Sequence, residues 1–292
     1  MSRKTVGRQA THEVLRAFLA LAENLNLSEA SEELGVTRQT LRRYIDVLED
    51  MKGAALFDLK KNNYVLTSAG EASLAEARYI LNRTEKFCSP NYRALGASPY
   101  LNTTFFIDQE GRSFRSEQHP ISAISKLACP LLQRAHSAWA NAAMKLEAAE
   151  MKSIRPYFVV YRQDVQGWRC VEIGNTSAYA RWFGWTWSKS AVGKLSYQDN
   201  AGDEFDAIVS DTYAEVFGRG DARLDHVFAH LPRESESGPV PVTFQRLLLT
   251  CILPDNTPVI AVLVAITNDV KISGLESAQL GLVSESLDMK SE

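Results

Sequence analysis

Apolar side chains recur every three to four positions through much of the first ninety residues, which is the spacing of an amphipathic helix. Residues 11–50 predict three short helices, with a break at Gly35 between the second and the third. Thr37 is a suitable N-cap for the third helix, because its hydroxyl can accept a backbone N–H of the first turn. The apolar face of that helix comprises Leu41, Ile45 and Leu48.

The pattern changes over residues 56–66, where two short apolar stretches flank a polar turn of lysines and asparagines. This arrangement predicts a β-hairpin. A further helix is predicted from Thr67 to about Phe87. Three short helices, a hairpin and a longer helix in this order predict a winged helix-turn-helix over residues 11–87, with the last helix as a linker.

The third helix also has an arginine-rich polar face at its start. The candidate DNA-binding side chains there are Thr37, Arg38, Gln39, Thr40, Arg42 and Arg43. An α-helix fits the major groove, where Arg can bond to guanine and Gln to adenine. Lys60 and Lys61, at the predicted tip of the hairpin, would contact phosphates without reading sequence. The alternative is that these residues form an ordinary solvated charged face. The DNA-binding interpretation is favoured because the turn and the hairpin of the motif occur in the same part of the chain.

Residues 14–81 resemble the DNA-binding region of LysR-type transcriptional regulators. The shared features are Phe18 with Leu21-Ala22, Ala30 with Leu34, Ile45 with Leu48-Glu49, Leu56-Phe57, and Leu66-Thr67 with Ala69-Gly70. Three positions depart from the family pattern. The family usually has a small residue at the position of Arg42, often a small residue or proline at Gln39, and commonly an arginine at Leu59. These departures indicate a different operator sequence.

The helix predicted at residues 67–88 carries small and apolar side chains at a 3-4-3-4 spacing. These side chains are Leu74, Ala77, Leu81, Thr84 and Cys88. Such spacing is typical of a packed helix pair. The resemblance implies that this helix holds a homodimer together, which could assemble further into a tetramer. The alternative is that this face packs against the chain's own domain.

The second half of the chain has a different order of predicted elements. From residue 157 the order is two strands, a short helix, a longer helix and three consecutive strands. Consecutive strands without crossover helices predict an antiparallel sheet. This differs from the alternating effector domain of LysR-type regulators. Residues 154–269 instead resemble a PAS domain, with a five-stranded antiparallel sheet and helices over one face. The alternative is a truncated or diverged LysR effector domain.

Aromatic side chains are dense between residues 168 and 187. Because PAS domains often hold a small molecule between helices and sheet, this density predicts an effector cavity. The candidate cavity residues are Trp168, Trp182, Trp185 and Arg246, with His226 and His230 as further polar anchors. The alternative is a plain aromatic core, since aromatics usually serve packing. No cofactor is predicted, because the helix at 203–217 has no histidine for haem and no cysteine lies in a flavin-type motif.

Composition and charge narrow these predictions. The net charge is −3, so any contact with nucleic acid depends on a local basic patch. The four cysteines are far apart and form no Cys-x-x-Cys pair, so neither a zinc site nor a disulfide framework is predicted. The start of the chain lacks the apolar run of a signal peptide, and the run at 259–266 is too short to cross a bilayer. A cytoplasmic protein with no membrane partner is therefore expected.

The sequence thus predicts an α+β protein that is not an enzyme, since it has no nucleophile elbow, phosphate loop or paired carboxylates. The predicted domains are a winged helix-turn-helix at 1–66, a linker and dimerisation helix at 67–88, a connecting region with a hairpin and a long helix at 89–153, a PAS-like domain at 154–269 and a polar tail at 270–292. The predicted function is a dimeric transcription regulator that binds double-stranded operator DNA. Its C-terminal domain would sense a small molecule or bind another protein. Two rivals remain: a C-terminal domain that only assembles subunits, and an enzyme fused to a DNA-binding domain.

Overall fold

The computed structural model describes residues 11–60, 63–88, 103–107, 113–127, 129–198, 203–233, 238–275, 283 and 286–289. The chain divides into two compact units, Met1–Ser89 and Pro90–Glu292. Each unit is described by itself. Lys61, one of the residues expected to contact DNA, lies outside the described residues.

The first unit contains the helices and the hairpin that the sequence pattern predicts. Its elements are α1 (Thr11–Asn24), α2 (Leu27–Glu33), α3 (Arg38–Lys52), β1 (Phe57–Lys60), β2 (Asn63–Leu66) and α4 (Ser68–Cys88). Helix α1 packs against α2, α3 and α4. The side chains at the centre of this unit are fully buried and include Phe18, Leu21, Leu41 and Leu56. Burial of this apolar surface is the main force that holds the small domain together.

Local signals in the sequence set the ends of these helices. Asn26 caps α2, with its side-chain oxygen accepting from the backbone N–H of Ser28. Thr37 caps α3 and accepts from the N–H of Thr40 at 3.1 Å. Gly53 ends α3 in the left-handed conformation, with φ 67°, where the absence of a Cβ removes the steric penalty. The turn that precedes α3 and the cap that begins it are therefore both encoded locally.

The second unit is built on one antiparallel sheet. Its strands are β3 (Thr103–Ile107), β4 (Ser113–His119), β5 (Phe158–Asp164), β6 (Gly167–Ile173), β7 (Ala222–Leu231), β8 (Val240–Ile252) and β9 (Pro258–Ile266). The spatial order is β3-β4-β7-β8-β9-β5-β6, and every pair is antiparallel. The helices are α5 (Pro130–Asn141), α6 (Ala178–Phe183), α7 (Trp185–Ala191) and α8 (Asp203–Arg219). The antiparallel sheet expected from three consecutive strands is confirmed.

The expectation of a five-stranded sheet is wrong, because the sheet has seven strands. The additional strands are β3 and β4, which form a hairpin and pair with β7 from Arg115 opposite Phe228 to His119 opposite Leu224. This pairing joins residues more than a hundred positions apart, so no local pattern indicates it. The segment at 89–153, expected to connect two domains, contributes this hairpin and α5 to the second unit.

The sequence pattern also predicted helices over only one face of the sheet. This prediction is wrong, because both faces of the central strands are buried. Positions of β8 such as Phe244 line a cavity beneath α6 and α8. The alternate positions Leu247 and Leu249 point to the other face and are fully buried as well. Helix α5 contacts β8 and β9 and supplies cover for that face. The sheet is therefore covered on both sides where it is most apolar.

The long helix expected within the region 89–153 is α5, and it ends at Asn141. Ala143 and Met144 take left-handed conformations, with φ 46° and 66°, and the chain then pairs with the end of β8. The N–H of Ile252 donates to the Met144 carbonyl, and the N–H of Leu146 donates to the Ile252 carbonyl. Leu146 is buried, and it lies in a turn and not in a helix.

Part of the polar tail expected at 270–292 is packed. Leu287 and Met289 are buried. The backbone N–H of Met289 donates to the carbonyl of Ile266 at 2.8 Å, next to the end of β9. The apolar side chains within this otherwise polar segment explain why it packs onto the sheet.

Candidate nucleic-acid interface and apolar cavity

The start of α3 presents a polar surface of long donor side chains. Thr37, Arg38, Gln39, Arg42 and Arg43 are exposed, and Thr40 is half-buried with its hydroxyl 2.9 Å from that of Thr37. The opposite face of the helix is buried in the core of the unit. The sequence-predicted side chains therefore lie together on the outer side of one helix.

The arginines of this surface have no carboxylate partners. Among the described residues, Arg38, Arg42 and Arg43 form no ion pair, and Arg42 donates only a long 3.5 Å bond to the hydroxyl of Tyr64. The acids of α3 lie further along the helix, where Asp46 and Asp50 are exposed. The first two turns of α3 thus carry unneutralised positive charge, as contact with phosphate or a guanine edge requires.

Buried contacts hold the hairpin beside α3. Glu49 of α3 accepts the backbone N–H groups of Leu56 and Phe57 at 2.7 and 3.2 Å. The ring of Phe57 packs edge-on against Phe18, with 5.6 Å between centroids, and against Tyr64 of β2. Lys60, at the end of β1, is exposed. Glu49 and Tyr64 position the hairpin. Glu49 is among the features shared with the family, whereas no feature of the sequence pattern marked Tyr64.

Helix α4 begins in close contact with the hairpin. Thr67 accepts from the N–H of Gly70 at 3.0 Å and donates to the carbonyl of Ala55 at 2.7 Å. A Cβ at Gly70 would lie 2.2 Å from the Leu56 carbonyl oxygen and 2.8 Å from Leu66. Only glycine fits this contact, which explains why the motif contains it.

Three of the five side chains expected at a dimer contact are buried within the single chain. Leu74, Ala77 and Leu81 are 4%, 5% and 6% exposed, whereas Thr84 and Cys88 are exposed. Helix α4 packs against α1 and β2, and Arg78 forms a 2.9 Å ion pair with Glu23 of α1. The 3-4 spacing of Leu74, Ala77 and Leu81 is therefore explained by packing inside the first unit, which was the alternative to a dimer contact. The exposed face of α4 includes Ile80, which is 40% exposed and which the spacing argument missed.

The second unit contains an apolar cavity of about 110 Å³ between the sheet and helices α6 and α8. Its walls come from four strands or their ends and from these helices. The lining residues include Tyr157, Tyr161, Tyr179, Trp182, Phe183, Tyr213, Val242, Phe244, Arg246, Val262 and Val264. Aromatic and aliphatic walls with few polar groups are typical of sites for small organic molecules.

The structure brings two of the four predicted cavity residues to this cavity. Trp182 and Arg246 line it, and the indole of Trp182 donates to the carbonyl of Pro232 at 2.8 Å. Trp168 and Trp185 do not line this cavity: Trp168 is a core residue that packs edge-on against Tyr213, and Trp185 is 43% exposed. Nearness in sequence does not place all of these aromatics on one face.

Arg246 belongs to a buried chain of charges across β7 and β8. Its Nε and Nη2 donate to one oxygen of Asp225 at 3.2 and 2.8 Å. Arg223 donates to the other oxygen of Asp225 at 2.8 Å and to Glu215 of α8 at 2.7 Å. Burial raises the pKa of Asp225, but the two guanidinium groups outweigh it and hold that pKa below its ordinary value. The carboxylate therefore stays ionised at neutral pH.

The two histidines considered as anchors do not line the cavity. The Nδ1 of His226 accepts from the N–H of Lys271 at 2.8 Å, and its ring lies 4.0 Å from that of His119. Burial lowers the pKa of His226 to about 3, with His119 adding to the effect. His230 contacts the backbone of Ser113. Both histidines are therefore hydrogen-bonded to the backbone of the second unit.

The described part of the chain contains neither a cluster of metal ligands nor a membrane-spanning helix. No group of three or more His, Cys, Asp or Glu side chains there is placed to hold a metal ion. Burial raises the pKa of the Cys251 thiol to about 12, so this cysteine is not a thiolate ligand at neutral pH. Among the same residues, no helix has the length and apolar character needed to cross a bilayer.

Comparison with known proteins gives matches over about a quarter of the chain. Residues 12–71 match the family "Bacterial regulatory helix-turn-helix protein, lysR family". The activator AllS of Klebsiella pneumoniae is 42% identical over 66 residues, which are 23% of this chain and 24% of AllS. The regulator ClcR of Pseudomonas putida is 37% identical over 71 residues, or 24% of each chain. The chain thus spans about a quarter of the length of the curated relatives it matches.

A solved structure gives a match of the same extent. The match is to the crystal structure of DarR from Vibrio fischeri in complex with DNA. The sequences are 38% identical, and the matched region covers 25% of this chain and 25% of DarR. Its TM-score of 0.25 is too low to show a common overall fold. The sequence matches, and above all the family match at residues 12–71, are therefore the findings that bear on function.

Proposed function

Residues 12–71 form a helix-turn-helix domain of the lysR family, and from this premise we propose that the protein is a sequence-specific, DNA-binding transcription regulator. The single observation that carries the proposal is the surface of α3. Its first two turns expose Arg38, Arg42 and Arg43 with no ion-pair partner among the described residues. A helix that presents unpaired arginines next to a basic hairpin fits the major groove.

The roles of the side chains follow from their positions. Arg38, Gln39, Arg42 and Arg43 are directed outward from α3 and are long enough to reach base edges. Thr37 and Thr40, at the helix start, would bond to phosphate together with the free backbone N–H groups there. Lys60, and Lys61 beside it in sequence, would contact phosphate across the flanking minor groove and add affinity without selecting sequence.

The proposal includes a homodimer, because a pair of recognition helices reads a two-fold operator. Leu74, Ala77 and Leu81 are occupied inside their own unit, so the second copy would contact the exposed side of α4 that contains Ile80 and Thr84. An exposed isoleucine on a helix surface is a natural centre for such a contact. Assembly of two dimers into a tetramer is compatible with this arrangement.

The proposal assigns a sensory role to the second unit. The strands β6, β5, β9, β8 and β7 are neighbours in this order within the seven-stranded sheet, and this supports the resemblance of residues 154–269 to a PAS domain. A cavity under α6 and α8 would bind an effector. The rival, a diverged LysR effector domain with alternating strands and helices, fits less well because every strand pair described is antiparallel.

Selection of binding sites from a random-sequence duplex library tests the proposed function. The full chain is incubated with the library at physiological salt, and bound duplexes are recovered and sequenced. A regulator enriches one motif, with two related half-sites if it binds as a dimer. Recovery of unrelated sequences only would overturn the proposal, because non-specific binding to the phosphate backbone selects no motif.

A further inference from the structure

Arg246 is the one charged side chain among the described residues that line the cavity of the second unit. It lies on β8, opposite Asp225 of β7 in the sheet register. Only 3% of Arg246 is exposed. A guanidinium group in an apolar wall is costly unless its donors are used, because each unmet donor loses its bonds to water.

The bonds within the protein use only part of this guanidinium. Nε and Nη2 donate to Asp225, and no acceptor for Nη1 is present among the described residues. The carboxylate of Asp225 is also shared, since Arg223 bonds to its second oxygen. Arg223 has a further partner in Glu215, so Arg246 is the end of this chain of charges and the less neutralised of its two arginines.

The chemistry of arginine defines what can bind there. The guanidinium donates hydrogen bonds and accepts none, so a ligand must offer an acceptor. A carboxylate gives charge-assisted bonds, which are roughly twice as strong as bonds to a neutral carbonyl. A second cation lies near the cavity wall: the guanidinium of Arg233 is 5.2 Å from the ring of Trp182. Both cations favour an anionic ligand.

The size and walls of the cavity define the rest of the ligand. An apolar cavity of about 150 Å³ in another protein accepts benzene. The cavity here is smaller, at about 110 Å³, but it is not fully enclosed, so only part of a ligand need lie inside it. We infer that this cavity binds a small apolar monocarboxylate, with one aromatic ring or a short alkyl chain against Trp182 and Phe244 and its carboxylate on Nη1 of Arg246. This inference rests on the proposed function, which gives the cavity the role of an effector site.

Isothermal titration calorimetry of the full chain without DNA tests the inference. The probes are benzoate and hexanoate, each compared with its uncharged amide, benzamide or hexanamide. The acids are expected to bind at least about tenfold more tightly than the amides, because a hydrogen bond to a charged group outweighs one to a neutral group. Arg246→Gln should abolish this preference while leaving weak binding of the amides.

Val242→Phe is the second variant, since Val242 lines the cavity and is opposite Ala229 in the sheet register, away from Asp225 and Arg246. It should abolish binding of acids and amides alike while the tryptophan fluorescence of the folded protein is retained. Amides that bind the unmodified protein as tightly as the acids would overturn the inference, and so would the absence of any binding. These results are independent of the site selection above: a protein that selects a DNA motif but binds no acid would refute the inference alone.

Discussion

The arginines at the start of α3 and those beneath α8 show two opposite uses of the same side chain. Arg38, Arg42 and Arg43 are exposed and, among the described residues, pair with no carboxylate. Arg223 and Arg246 are each 3% exposed and are joined through the fully buried Asp225. Water solvates the first set at no cost to folding, whereas the second set can be buried only because it is paired.

This difference separates residues that bind from residues that hold the fold. An exposed arginine without a partner keeps its donors for an incoming phosphate or base, so its removal should weaken binding and leave stability unchanged. Removal of a buried and paired arginine should instead lower stability. Arg246 lies between these cases, because it pairs with Asp225 inside the sheet and its side chain also lines a cavity.

The largest effect is expected from Asp225→Ala, which leaves two buried guanidinium groups without their shared partner. The loss should be about 3–5 kcal/mol of unfolding free energy, as for other broken buried ion pairs. All five tryptophans lie between residues 139 and 187, within the second unit, so tryptophan fluorescence in urea reports on that unit alone. The control is Glu147→Ala, which removes a half-exposed partner of Arg155 and should cost about 1 kcal/mol or less.

The distinction between exposed and buried charge could be drawn from sequence only for the first unit. The two faces of α3 follow from one helical period, and Thr37 and Gly53 mark its ends locally. The pairing of Asp225 with Arg246 depends on the register of two strands, which no local pattern gives. A long helix was expected in the region 89–153, but α5 ends at Asn141, and the buried residues Ala142 and Leu146 both lie beyond it.

A second prediction concerns pH and uses a buried group that is kept neutral. Because the pKa of His226 falls to about 3 in the folded protein, the unfolded chain binds its proton first, near pH 6.5. Stability should therefore decline by about 1.4 kcal/mol per pH unit as the pH falls from about 6 to about 4. His226→Gln keeps an acceptor for Lys271 and should flatten this slope in fluorescence-detected urea unfolding. The same slope in the variant would contradict the assignment.

A third prediction tests whether the hairpin of the first unit depends on close backbone contact. Gly70→Ala places a methyl group 2.2 Å from the carbonyl oxygen of Leu56, so α4 must shift. The expected cost is about 1–3 kcal/mol, as for other overpacked sites, measured by circular dichroism at 222 nm, where the helical first unit contributes strongly. Gly218→Ala, in α8, meets nothing within 4 Å and should not destabilise the protein. Equal effects of the two substitutions would exclude the steric explanation.

The smallest effect on stability is expected from Ile80→Glu on the exposed side of α4. Surface substitutions usually change stability by about 0.5 kcal/mol or less, but a charge at a helix–helix contact opposes association. Analytical ultracentrifugation should give a folded monomer for the variant and a dimer for the unmodified chain. A variant that sediments as a dimer would remove α4 from the proposed contact.

The most direct test of the central claim, that α3 reads base sequence, is the affinity of four proteins for the selected duplex and for a scrambled one. The proteins are the unmodified chain, Arg42→Ala, Arg43→Ala and Lys60→Ala, each measured by fluorescence anisotropy at several salt concentrations. Replacing an arginine that bonds bidentately to a base should weaken the binding free energy by about 1–3 kcal/mol for the selected duplex and by much less for the scrambled one. Lys60→Ala should weaken both equally and reduce the salt dependence. Unchanged affinity of both arginine variants for the selected duplex would contradict the claim.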